Sequence, residues 1–92
     1  MTLVVHVSEL VPGKLYRANG IRLDLYKQDD QLAYTMMIGE CFLVLDAPEM
    51  VTDTRANTHW IVNVLGPSGK GLIRTKVRSS QLAVFKYELV TP

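Results

Sequence analysis

The sequence predicts an all-β fold, a small barrel of five to six short antiparallel strands with one 3₁₀ turn. Three observations carry this. The segment Leu72–Arg78 alternates strictly, with Ile73, Thr75 and Val77 on one side and Arg74, Lys76 and Arg78 on the other, the period of a half-buried strand. Turn signals recur along the chain: Pro12-Gly13, Asn19-Gly20 and the run Gly66-Pro67-Ser68-Gly69-Lys70-Gly71. No stretch has the 3.6-residue apolar period of an amphipathic helix, and no internal repeat or low-complexity tract breaks the chain.

Ninety-two residues make one domain, spanning 1–92, able to bury a core but with little room for a deep catalytic cavity. Apolar residues are 48% and charged residues 21%, ordinary for a globular domain. Ten Lys and Arg against nine Asp and Glu leave a net charge of +1, so an electrostatic partner would have to be recognised by local clustering. The one cysteine, Cys41, rules out an internal disulfide and a cysteine-built zinc site, and points to a reducing compartment. The uninterrupted apolar runs are far shorter than the roughly 20 residues of a membrane helix. The start, Met1-Thr2-Leu3-Val4-Val5, lacks the basic region and cleavage site of a secretory signal. The reading is a complete small protein without a membrane role, cytoplasmic, or in the host cytoplasm or virion if it is phage-encoded.

Leu3–Val7 is β-branched and reads as an edge strand ended by Ser8–Gly13. Pro12-Gly13 is a type II turn signal, since Pro presets φ and Gly accepts positive φ one position later. Lys14–Ala18 is the next strand, and Asn19-Gly20 predicts a tight hairpin into Ile21–Lys27. There Ile21, Leu23 and Leu25 share one face and Arg22 and Asp24 the other. Leu32–Ile38 fits either a strand or a short helix. Cys41–Leu45 is apolar at every position, as a strand covered on both sides would be, and Ala47–Met50 ends it. Asp53–Thr58 is a polar connection long enough to be mobile. Trp60–Leu65 and Leu72–Arg78 form a hairpin around the glycine-rich turn. Ser79–Gln81 is a tight link, and Ala83–Val90 closes the chain with Ala83, Phe85, Tyr87 and Leu89 toward the core.

In this order the segments from Leu10 to Val90 resemble the SH3-like small-barrel superfamily, of the stand-alone bacterial or bacteriophage type. Pro12–Tyr16 looks like its opening strand and Ile38–Leu45 like its Gly-led second strand. Trp60–Val64 and Gly69–Ile73 resemble the third strand, tight turn and fourth strand, and Ser80-Gln81-Leu82 the 3₁₀ turn before the last. The resemblance implies a fold rather than an activity. The acidic loop and second aromatic cluster of peptide-binding SH3 domains do not occur, although Tyr16 matches the first aromatic of such a groove.

No catalytic set emerges. Gly66–Gly71 lacks the spacing, the Ser or Thr and the following helix of a phosphate loop. His6 and His59 lack a spaced third ligand, with Asp24, Asp46 and Asp53 scattered, so no metal or other cofactor is expected. Cys41 sits in the most apolar strand, where a cysteine acts as a small buried hydrophobe. The expected function is therefore a non-catalytic protein interaction or assembly module. Phe42, Val44, Tyr34 and Trp60 are its candidate partner surface: if Cys41, Leu43 and Leu45 face inward, Phe42 and Val44 need cover, either from Leu3–Val7 or the 32–38 segment or from another subunit, which predicts a homo-oligomer with an apolar contact. The alternative is a nucleic-acid or anion-binding barrel using Lys70, Arg74, Lys76 and Arg78. Cations about 7 Å apart on one strand face approximate successive phosphates. A charged row is more often a solvated face that prevents edge pairing.

Overall fold

The computed structural model describes residues 4–19, 23–29, 31–37, 39–52, 54–76 and 86–90. Within them the chain is all-β. It runs β1 (Val4–Val5), a 3₁₀ turn (Val7–Glu9), β2 (Leu15–Asn19), β3 (Leu23–Tyr26), β4 (Leu32–Met36), β5 (Cys41–Val44), β6 (Glu49–Thr52), β7 (Thr58–Gly66), β8 (Gly69–Lys76) and β9 (Lys86–Val90). All pairings are antiparallel, in the order β1-β9-β2-β5-β7-β8-β3-β4, with β6 also on β7. The sheet curls strongly, a half-barrel compatible with a small β-barrel fold. No helix among the described residues is long and apolar enough to cross a membrane.

The curl wraps one face around a single core. Tyr16, Ala18, Leu23, Leu25, Met36, Phe42, Val44, Val62, Val64, Ile73 and Tyr87 fill it. Register explains the set. Tyr16 pairs with Phe42 and Leu89, Ala18 with Tyr87, Val44 with Val64 and Val62 with Ile73, and residues directly opposite share a face. The Phe42 ring lies 6.1 Å from Tyr16, near-parallel, and 5.7 Å from Tyr87, edge-on. Both arrangements are favoured aromatic geometries. The Tyr16 hydroxyl accepts a hydrogen bond from the Val11 amide at 2.9 Å, which ties the segment before β2 onto the core.

This register corrects the expected orientation of β5. Phe42 and Val44 point inward and are fully buried, so neither belongs to a partner surface. Cys41 and Leu43 point outward, and Cys41 is half-buried on the outer face opposite Arg17. An all-apolar strand does not specify which face is inside. Its neighbours do, because β2 can bury only Tyr16 and Ala18 while Arg17 stays wet.

Other turns adjust the picture. Pro12-Gly13 forms the expected turn, with Gly13 at φ +83° and the Lys14 amide donating to Val11 at 3.2 Å. Gly20 lies outside the described residues, but the strands on either side of Asn19-Gly20 are not paired as the expected hairpin requires: β2 pairs with β5 and β9 whereas β3 pairs with β4 and β8. The ambiguous 32–38 segment is a strand through Met36, folded back on β3 by a turn in which Lys27 donates to the Gln31 carbonyl at 2.7 Å. Glu49–Met50, expected to end β5, begins β6, an all-exposed strand against β7. The described 3₁₀ turn is Val7–Glu9, while the one expected at Ser80–Leu82 lies outside the described residues, as do Ile21, Ala83 and Phe85.

The β7–β8 hairpin is tighter than its glycines suggest. Gly66 pairs with Gly69, so only Pro67 and Ser68 form the turn. Gly66 and Gly71 serve packing instead. A Cβ on Gly71 would stand 3.0 Å from the Leu25 Cβ, and one on Gly66 would stand 2.7 Å from the Leu25 Cδ1. The missing side chains let β3 close onto the hairpin and bury Leu25.

Candidate interaction face

The outer face of the sheet carries the feature that sequence reading missed. Val90 pairs with Leu15, Leu15 with Leu43, Leu43 with Leu65 and Leu65 with Lys70. Four aliphatic side chains thus form one row across β9, β2, β5 and β7 that ends in a cation on β8. Four strand spacings make it roughly 19 Å long. Leu15 is 39% exposed and Leu65 43%, with Leu43 and Val90 half-buried between and beside them. On one side of the row Arg17 pairs with Glu88 at 3.5 Å, an exposed contact of little energetic weight. On the other lies Leu45, 36% exposed, whose amide donates to the Asn63 carbonyl at 2.9 Å. The signal was present in Lys14-Leu15-Tyr16-Arg17-Ala18: once Tyr16 and Ala18 are inside, Leu15 must be outside with Arg17.

Beyond Leu45 the face dips into an open groove of about 340 Å³. Tyr26, Leu45 and Leu72 give it apolar lining, together with Val64 and Gly71. Lys27 and Lys70 stand on the β3–β8 side. Asp46 stands on the β5–β7 side, where its Oδ2 accepts from the Asn63 Nδ2 at 3.0 Å.

The expected cationic surface is brought together only in part. Lys70 is exposed, whereas Arg74, four residues along β8 on the same face, is half-buried and engaged with neighbouring groups. Lys76 takes a backbone position opposite His59, and Arg78 lies outside the described residues. Across β7, Glu49 and Arg74 both pair with Ile61, which places an acid on the same cross-strand row as the cation.

The two remaining aromatic candidates are structural in their contacts. Trp60 is half-buried against the core, between Met50 and Thr75 in register. Tyr34 also packs on the core, and its hydroxyl donates to the Glu40 carboxylate at 2.9 Å. The Met37 amide donates to the same carboxylate at 2.9 Å, so Glu40 clamps the turn between β4 and β5. That hydrogen bond, then burial and the carboxylate charge, hold the Tyr34 phenol above its ordinary pKa. Among the described residues no three His, Cys, Asp or Glu side chains gather in a metal-binding group, and His59 is buried and engaged.

Comparison with known proteins adds no relative: no family model, no curated protein and no solved structure matches the chain.

Proposed function

We propose that this chain is a non-catalytic interaction module that self-associates through the aliphatic row of its outer face. The observation that carries the reading is the register of Leu15, Leu43, Leu65 and Val90, four aliphatic residues side by side on a solvated face. An isolated exposed leucine is unremarkable, whereas a contiguous row is the mark of a contact surface. The row also suits a two-fold arrangement. With two rows antiparallel, Lys70 at the β8 end of one approaches the β9 end of the other, where Glu88 stands. The SH3-like assignment belongs to this reading too. Four of its matching segments fall on β2, β5, β7 and β8, neighbours in that order with β9 beside β2, and this strand order is what supports the SH3-like part of the reading.

Light scattering coupled to size exclusion tests the reading. The expected result is an oligomer that persists at high salt and becomes monomeric in Leu65→Glu. The alternative, nucleic-acid binding through Lys70, Arg74, Lys76 and Arg78, draws on the shared outer-face placement of Lys70 and Arg74. It predicts copurifying nucleic acid that dissociates steeply as salt rises.

A further inference from the structure

The groove beside the row has a polarity of its own. Its β3–β8 side is lined by two lysines, Lys27 and Lys70, neither of which has an ion-pair partner among the described residues. Its opposite side presents one carboxylate, Asp46, with one oxygen already engaged by the Asn63 amide. Between them lie the apolar surfaces of Leu45, Leu72 and Tyr26. At about 340 Å³ the groove sits at the low end of ligand-sized clefts, with room for about one or two residues rather than a large cofactor.

We propose that this groove takes a short acidic-aliphatic segment of a partner protein. An aliphatic side chain lies against Leu45 and Leu72, an adjacent carboxylate is bracketed by Lys27 and Lys70, and a main-chain N–H of the segment donates to the free oxygen of Asp46. Charge complementarity selects this occupant. A basic segment would set its cations against two lysines that have no ion pair among the described residues, and an uncharged one would leave those two cations facing the single carboxylate of Asp46. The groove is open, so the segment can enter without displacing any strand of the sheet. The inference rests on the reading of the chain as an interaction module, and it adds a second partner, distinct from the copy of the chain that the aliphatic row takes.

The test is a titration of the full chain with acetyl-Ala-Asp-Leu-Asp-Ala-amide, followed by amide chemical shifts. Perturbations should centre on Lys27–Gln28, Asn63 and Lys70–Leu72. They should weaken at least tenfold with the Asn-Leu-Asn counterpart and in the double variant Lys27→Glu, Lys70→Glu. Both lysines are exposed, so the variant is expected to keep the dispersed spectrum of the folded protein. Perturbations that are absent, scattered over the sheet, or equally strong with the Lys-Leu-Lys peptide overturn the proposal. Light scattering on the same samples separates the two readings. An oligomer that Leu65→Glu dissolves, with no response to the peptide, removes the groove proposal and leaves self-association standing. A monomer that binds the peptide does the reverse.

Discussion

Strands β5 and β7 carry apolar residues on both faces, yet their two faces do different work. Inward, Phe42, Val44, Val62 and Val64 are fully enclosed and fixed by aromatic and aliphatic neighbours from every side of the curl. Outward, Leu43 and Leu65 continue the same ladder into a row that the protein itself leaves open. Leu43 and Leu65 are as apolar as the residues they alternate with, so the hydrophobicity of a single residue does not distinguish core from contact surface. Closure does: a curled sheet has one concave face, and whatever apolar residues remain on the convex one are available to something else.

The largest break in this comparison comes from the inner face. Phe42→Ala removes the ring that Tyr16 and Tyr87 both contact and should cost about 3–5 kcal/mol, enough to unfold much of a small domain, as chemical denaturation would measure. Tyr87 gives a pH handle on the same core. Burial pushes its phenol up to about 12, and Thr75 offsets part of this without meeting hydrogen-bond geometry. A folded-state pKa above the unfolded value of 10 means the neutral form is favoured by folding. That stability is fully present below pH 10 and is lost as pH rises from 10 through 12, by about 2–3 kcal/mol. Tyr87→Phe should flatten that stretch of the stability curve. It should cost little at neutral pH, because the hydroxyl it removes makes no hydrogen bond among the described residues.

Gly71→Val presses a side chain onto the Leu25 Cβ and should cost about 1–3 kcal/mol, read from the thermal midpoint. The outer face should respond least. Leu65→Glu should change the stability of the monomer by no more than about 0.5 kcal/mol while abolishing association. That split between folding and assembly is the sharpest form of the comparison.

Much of this was legible in the residues. The alternation of Leu23, Asp24 and Leu25 sets the faces of β3, and Pro12-Gly13 marks its turn correctly. The β7–β8 hairpin is plain from its apolar strands and glycines, though the glycines were read as turn when two of them make room for Leu25. Two features were not legible locally. Asn19-Gly20 is a strong hairpin signal, but β2 finds better partners in β5 and β9, a long-range choice that no dipeptide encodes. The facing of β5 depends on register with β2, so its own residues point Phe42 and Val44 to a surface that Leu43 occupies instead. The row and groove are assembled from six strands far apart in sequence, which is why periodicity within one strand could not reveal them.

The most direct test of the central claim is the molar mass of the wild-type protein and of Leu65→Glu, measured by light scattering at low and high salt. The account predicts a wild-type oligomer at both salts and a folded monomer for the variant. A wild-type monomer under both conditions, or an oligomer that Leu65→Glu leaves intact, would contradict it.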